Sequence, residues 1–201
     1  MSIYALKPKF QNLLRPLTRA LFNAGVTANQ VTLAACVISV ALGLWLFIDP
    51  RPALFGLIPL WMFLRMAFNA IDGMLAREFG QKSKLGAYLN ELTDVISDAC
   101  LYLPFAALLH FPALWVGVFI ALSIVVEMSG VIGLMVDASR RYDGPFGKSD
   151  RAFVIGALAL AIWLGLPVQG WQALVFPLMS LLCALTIVQR VRKGLAEAAA
   201  E

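Results

Sequence analysis

The stretch that decides the fold is "NAIDGMLAREFGQKSKLGAYLNELTDVISD", residues 69–98. It sets four acidic residues, Asp72, Glu91, Asp94 and Asp98, along segments that otherwise read as membrane helices. A carboxylate in hydrocarbon costs several kcal/mol unless it is paired, solvated or bound to something. Asn69 and Asp72 are three residues apart and share a helix face. Farther on, Asn90, Asp94 and Asp98 step by four, and Glu91 joins the same stripe three residues before Asp94. Between the two apolar segments, residues 77–85 are hydrophilic and basic, so the acids converge a short way inside the membrane and face an aqueous opening. At about 1.5 Å per residue, Asp72 stands some 7 Å from Arg77 along its helix.

The rest of the chain has a membrane protein's composition. Of its 201 residues, 61% are hydrophobic and 14% charged, with a mean hydropathy of +0.81. Soluble domains carry about 25% charge. Six apolar runs, roughly 30–48, 53–72, 86–109, 112–136, 152–167 and 171–189, each approach the ~20 residues a spanning helix needs. Lys and Arg fall on alternate sides of them. Lys7, Lys9, Arg15 and Arg19 precede the first run. Arg77, Lys82 and Lys84 follow the second, and Arg140, Arg141, Lys148 and Arg151 follow the fourth. Arg190, Arg192 and Lys193 close the series. Only Arg51 lies in the opposite loops, so both termini are expected in the cytosol. The basic pI of about 9.1 is thereby explained by topology, without nucleic acid.

The fold expected is an all-α membrane protein of one domain, residues 1–201. An interfacial segment (1–29) precedes a six-helix bundle (30–189) and a cytosolic tail (190–201). Within the first segment, Ile3, Leu6, Phe10, Leu13, Leu17 and Leu21 recur at spacings of three and four among basic residues, the pattern of an amphipathic helix on anionic lipid. Pro8 and Pro16 must start, kink or break that helix. "TANQ" (27–30) has capping-box spacing at the first span, and "GLAEAAAE" reads as a tail with no visible task. Cys36, Cys100 and Cys183 fall in apolar runs and read as reduced small hydrophobes.

Carboxylates and amide oxygens gathered at one point suit a hard divalent cation, Mg²⁺ or Mn²⁺. Such an ion offsets their repulsion and clamps phosphate. Gly73 lets a ligand approach the backbone closely, and Arg77, one turn on, is placed to meet phosphate oxygens. The competing readings are structural pairing of these acids with Arg65 and an ion or proton relay in a transporter. A second basic cluster, "SRRYDGPFGKSDRAFVIG" (139–156), begins with a turn at Asp143-Gly144-Pro145, and Ser149 or Asp150 can cap the helix that follows. Lys148 and Arg151, then Arg140 and Arg141, are the candidates there for holding an acceptor's phosphate. Glu127 either faces a central cavity or pairs with Arg65, and His110 is structural.

The stretch resembles the signature of the CDP-alcohol phosphatidyltransferase family, D-x2-D-G-x2-A-R-x8-G-x3-D-x3-D. It stands here as Asn69, Asp72, Gly73, Ala76, Arg77, Gly86, Asn90 and Asp94 with every spacing kept. "VTANQVTL" (26–33) is similar to a family element opening the first span. The resemblance implies a bacterial inner-membrane enzyme of six helices, often a homodimer, with its active site at the cytosolic face. Such an enzyme moves a phosphatidyl group from CDP-diacylglycerol to an alcohol and releases CMP. It implies Asp72 and Asp94 as catalytic residues, Asp94 as the general base, and both as metal ligands with Asn69 and Asn90. Asp72, Gly73, Ala76, Arg77 and Gly86 would line the CDP site. Asn69 and Asn90 depart from the pattern, where aspartates stand. Each keeps a carbonyl and loses a charge, so one ion suits the site better than two, and Glu91 or Asp98 are candidates to restore charge. The acceptor expected is a polyol phosphate such as glycerol 3-phosphate. The alternatives are a catalytically weak CDP-diacylglycerol-binding or scaffold homologue and, behind it, a transporter.

Overall fold

The computed structural model describes residues 6–167 and 170–200; Ile3 of the amphipathic pattern lies outside them. Among the described residues there are seven α-helices and no strand: α1 (Leu6–Asn23), α2 (Ala28–Ile48), α3 (Leu57–Glu78), α4 (Lys84–Tyr102), α5 (Ala113–Ile132), α6 (Lys148–Trp163) and α7 (Gln172–Ala198). Among the described residues, four helical stretches are long and apolar enough to cross a membrane: Ala28–Ile48, Pro52–Glu78, Ala113–Val136 and Gln172–Ala198. Their outer faces carry large apolar side chains such as Val37, Trp45, Phe63, Leu114, Met128 and Leu178. In water such a surface would be an aggregation hazard; against acyl chains it is matched to its solvent. The chain is an integral membrane protein. α4 and α6 fall short of the same standard, α4 through its charges and α6 because it has only 16 residues.

Local chemistry sets the helix ends. Thr27 and Gln30 form the capping box read in "TANQ": the Gln30 N–H donates to Thr27 Oγ1 at 3.3 Å, and the Thr27 N–H to Gln30 Oε1 at 2.9 Å. Ser83 caps α4 by accepting the Gly86 N–H at 2.9 Å. Asp150, the third residue of α6, reaches back to accept the Gly147 N–H at 2.9 Å. α6 closes with Gly165 in the left-handed conformation (φ 68°). The Leu166 N–H returns to the Ala161 carbonyl and the Gly165 N–H to that of Ile162, a pairing that satisfies the last carbonyls.

Several boundaries differ from the sequence expectation. α1 runs unbroken through Pro16, its inner face of Leu14, Thr18 and Leu21 held against the neighbouring core. The third run ends as a helix at Tyr102, and a 3₁₀ turn, Leu103–Ala107, carries the chain past Pro104, which cannot donate to a continuing helix. The last helix extends nine residues past the expected end and takes in most of the tail.

The chain divides into two compact units, Met1–Ala41 with Leu60–Ser97, and Leu42–Pro59 with Asp98–Glu201. In the first, Ala28, Val31, Ile71, Met74 and Leu75 form the core under Leu14, Leu21, Val26, Phe68 and Phe79. Arg15 grips Glu78 with two hydrogen bonds, Nε–Oε2 at 3.0 Å and Nη2–Oε1 at 2.9 Å, and Phe22 packs on Phe79 at 4.8 Å. These contacts seat α1 on the last turn of α3. In the second unit, Phe55, Phe105, Phe111, Phe119 and Phe176 interlock with centroids 5.4–5.9 Å apart, in the edge-on and tilted geometries aromatic rings favour.

Candidate active site

In the first unit, the signature residues lie on α3 and α4, and α2 meets α3 at Asp72. Asp72 is 7% exposed on α3, and its Oδ2 lies 2.7 Å from the Thr32 hydroxyl of α2. Thr32 Oγ1 is also 3.0 Å from the Ala28 carbonyl, so one hydroxyl proton serves two acceptors. Asp94 on α4 is held from α3: Arg65 Nη2 donates to Asp94 Oδ1 at 2.8 Å and to the Asp94 carbonyl at 3.2 Å. Arg65 is 6% exposed. The structural pairing weighed for the membrane acids is therefore real for Asp94, whereas Asp72 answers to a threonine. Asn69 and Asn90 are exposed on α3 and α4, and Glu91 is half-buried.

The glycines do what close approach requires. Arg77 folds back over Gly73, where an added Cβ would stand 2.6 Å from its Nη2 and 3.2 Å from its Cζ. Because the obstacle is the far end of a flexible side chain, Gly73→Ala is expected to fold normally. A thermal melt close to that of the wild type checks this. At Gly86 a Cβ would meet Asn29 Oδ1 at 2.9 Å and Ser83 Oγ at 3.0 Å. Asn29 and Thr32 both belong to "VTANQVTL", which thus braces the signature at two points. Gln81 adds a third brace, its Oε1 accepting the Ala28 N–H at 2.7 Å.

The donor set suits a hard divalent cation in chemistry, since Asp72, Asp94, Asn69 and Asn90 offer only oxygen. Among the described residues, no group of three or more His, Cys, Asp or Glu forms that could hold a metal. A cation at Asp72 and Asp94 would therefore complete its shell with amide, water or substrate oxygens, the habit of Mg²⁺.

The second unit holds the basic cluster. Arg151 is 1% exposed and donates to Glu127 Oε1 at 2.6 Å and to the Phe146 carbonyl at 3.1 Å. Arg140 stands 3.8 Å and Arg190 3.9 Å from the same carboxylate. Glu127 is thus engaged by Arg151, the partner found for it in place of Arg65. Asp98, 5% exposed, belongs to this unit and acts on the Arg151 charge, and Lys148 is half-buried at the start of α6. Arg141 pairs instead with Asp143 at 2.7 Å and with Glu197. A hydrogen bond from Lys193, with help from Arg141, holds the Asp143 carboxyl below the usual carboxylate range. His110 lines a cavity with Pro50, Leu108, Phe111 and Leu166, among none of the acids of the signature.

Two participants escaped the sequence reading. Arg190 was assigned only to topology, yet it is 2% exposed and bonded to the Val126 and Asp143 carbonyls. Glu197, in the tail that showed no task, accepts from the Ser139 backbone and hydroxyl at 2.9 and 3.1 Å. Neither carries a local signal, because each partner lies more than 40 residues away.

The family model for CDP-alcohol phosphatidyltransferase matches residues 25–189. The chain belongs to that family. It is therefore a phospholipid-synthesis transferase, and its phosphatidyltransferase signature lies on α3 and α4. The chain is 44% identical over 195 residues to the inner membrane protein YnbA of Escherichia coli K12, covering 97% of each. It is 37% identical to the phosphatidylinositol phosphate synthase of Mycobacterium marinum over 94 residues, which is 46% of this chain and 38% of that one. The fold of this phosphatidyltransferase is shared with Mycobacterium tuberculosis phosphatidylinositol phosphate synthase (PgsA1) crystallised with CDP-DAG. That match has a TM-score of 0.75 at 22% identity and covers 89% of this chain and 92% of the other. The same synthase was also solved with manganese and citrate.

Proposed function

We propose that the protein transfers the phosphatidyl group of CDP-diacylglycerol to a hydroxyl of a polyol phosphate, releasing CMP. The observation that carries the reading is the signature constellation: Asp72 and Asp94 on facing helices, with Arg77 folded over Gly73. Asp72, Gly73, Ala76, Arg77 and Gly86 bind the CDP end. Asp72, Asp94, Asn69 and Asn90 are the ligands for one Mg²⁺ or Mn²⁺, with Glu91 as a further candidate. A bound ion would supply positive charge to the phosphoryl oxygens. Asp94 accepts the proton of the acceptor hydroxyl as its oxygen bonds to the diacylglycerol-side phosphorus. The bond from that phosphorus to the CMP oxygen breaks, and Arg77 stabilises the charge on the diphosphate.

The acceptor's phosphate is assigned to the basic residues around the start of α6. Lys148 and Arg151 are the leading candidates, with Arg140 and Arg141 beside them, and Arg190 joins them. Three guanidinium groups, those of Arg140, Arg151 and Arg190, stand within 4 Å of Glu127, and this concentration of donors supports an anion there. Glycerol 3-phosphate fits this chemistry, and the synthases among the relatives bring inositol phosphate into the same class. Six membrane helices with both termini cytosolic, α1 lying on the lipid surface with Leu13 and Leu17 outward, and a homodimer complete the reading. The expected result is CMP release from CDP-diacylglycerol vesicles with glycerol 3-phosphate or inositol phosphate, and at least about tenfold less with glycerol or inositol, the loss of one charge-assisted contact. Equal rates with the unphosphorylated polyols would remove the basic cluster from the acceptor site.

A second reading has its own support in Asn69, Asn90 and the Arg65–Asp94 pair: a homologue that binds CDP-diacylglycerol without turning it over. Binding of that lipid with no CMP release under any acceptor would establish it.

A further inference from the structure

We propose that Glu197 is a positioning residue for the acceptor: by holding Ser139 and Arg141, the two neighbours of Arg140, it sets Arg140 for the acceptor's phosphate. The inference rests on the acceptor reading above and gives the far end of α7 a part in that site.

Residues 138–147 join the end of α5 to the start of α6 with neither helix nor strand. On one side, their main chain lies against α5 where side chains are missing. A Cβ at Gly130 would stand 2.7 Å from the Arg141 carbonyl oxygen, and one at Gly133 would stand 2.9 Å from that of Ser139. The Arg141 N–H donates to the Gly130 carbonyl at 3.0 Å.

On the other side, α7 holds the same segment by its polar groups. Glu197 accepts from the Ser139 N–H at 2.9 Å and from the Ser139 hydroxyl at 3.1 Å, and Arg141 donates to the same carboxylate. One turn earlier on the same face of α7, Lys193 reaches Asp143 at 2.9 Å, and Asp143 also pairs with Arg141 at 2.7 Å. A lone ion pair at the surface contributes little, whereas a network holds its geometry. Here three donors from one short segment meet on a single carboxylate.

Arg140 lies between the two residues that Glu197 grips, and its own guanidinium stands 3.8 Å from Glu127, the carboxylate that Arg151 meets at 2.6 Å. Arg140 thus reaches the basic residues around the start of α6 from a segment anchored at both of its neighbours. A guanidinium binds phosphate through a planar fork of donors, so its value depends on where the fork points. A displacement of about 1 Å is enough to lose much of that value. Glu197 acts on the acceptor only through Arg140.

The test measures CMP release by the purified protein in CDP-diacylglycerol proteoliposomes, over a range of glycerol 3-phosphate or inositol phosphate, whichever the wild type turns over faster. Glu197→Ala is expected to raise the KM for the polyol phosphate about tenfold, as for one charge-assisted contact, and to leave the KM for CDP-diacylglycerol unchanged. Arg140→Ala should do the same, and the double variant should be no worse than Arg140→Ala alone, the non-additive result for two residues acting in series. An unchanged acceptor KM in Glu197→Ala, a rise of both KM values together, or additive losses in the double variant overturns the proposal. A wild-type acceptor KM in Arg140→Ala instead removes Arg140 from the acceptor site, and the proposal falls with that reading. Backbone hydrogen exchange over residues 139–143 separates the claims if no CMP is released. Faster exchange in Glu197→Ala upholds the hold of α7 on the segment and defeats the transferase reading; unchanged exchange overturns the hold itself.

Discussion

Asp94→Asn is expected to abolish turnover while leaving the protein folded. The amide keeps a carbonyl that can accept from Arg65, so the bond between α3 and α4 survives in shape. What disappears is the capacity to take a proton from the attacking hydroxyl, a contribution of about 10²–10⁴ in rate. On the proposed reading, loss of a charged metal ligand adds to it. CMP release by the variant should therefore fall at least about a hundredfold, with a melting transition close to that of the wild type. Wild-type rates would show that the base is elsewhere. A collapsed melting transition would show that the Arg65 pair needs the full charge of Asp94.

The largest effect on stability is expected at Glu127. Its carboxylate, 9% exposed, is the acidic partner of Arg151 and stands within 4 Å of Arg140 and Arg190. Glu127→Gln retains the size and a hydrogen-bond acceptor but leaves buried cations uncompensated. Breaking a buried pair from one side costs about 3–5 kcal/mol, to be measured as a lowered denaturation midpoint in detergent micelles. Removing both partners in Glu127→Leu with Arg151→Leu should recover part of that loss, because Arg151 is then no longer stranded, while Arg140 and Arg190 still lose the carboxylate. If Glu127→Gln melts like the wild type, Arg151 is neutralised by something other than Glu127.

What could be read along the chain depended on range. The capping box at Thr27 and Gln30 and the reach of Asp150 to the start of α6 involve residues three apart, and both were visible as spacing. The signature was visible because its ligands sit on two consecutive helices with fixed periodicity. Pro104 ended α4 for a reason present in the sequence, yet the surrounding hydrophobic run concealed it. Pro16 went the other way: packing of Leu14 and Leu21 against the core outweighs one lost hydrogen bond. Arg65 stands in the sequence as a candidate partner for the membrane acids and pairs with Asp94 across 29 residues, whereas the partners of Glu127 and Ser139 could not be read locally, since Arg151 and Glu197 reach them across 24 and 58 residues. Thr32 and Asn29 belonged to an element recognised only as a helix opening; their contacts with Asp72 and Gly86 give that element a part in the site.

The most direct test of the account is a product assay on the purified protein in CDP-diacylglycerol proteoliposomes with Mg²⁺ or Mn²⁺, offered a polyol phosphate, with the lipids followed by mass spectrometry. The account predicts one CMP released for each new phosphatidyl polyol phosphate formed. CDP-diacylglycerol bound by the folded protein, with neither CMP nor a new lipid appearing, would contradict it.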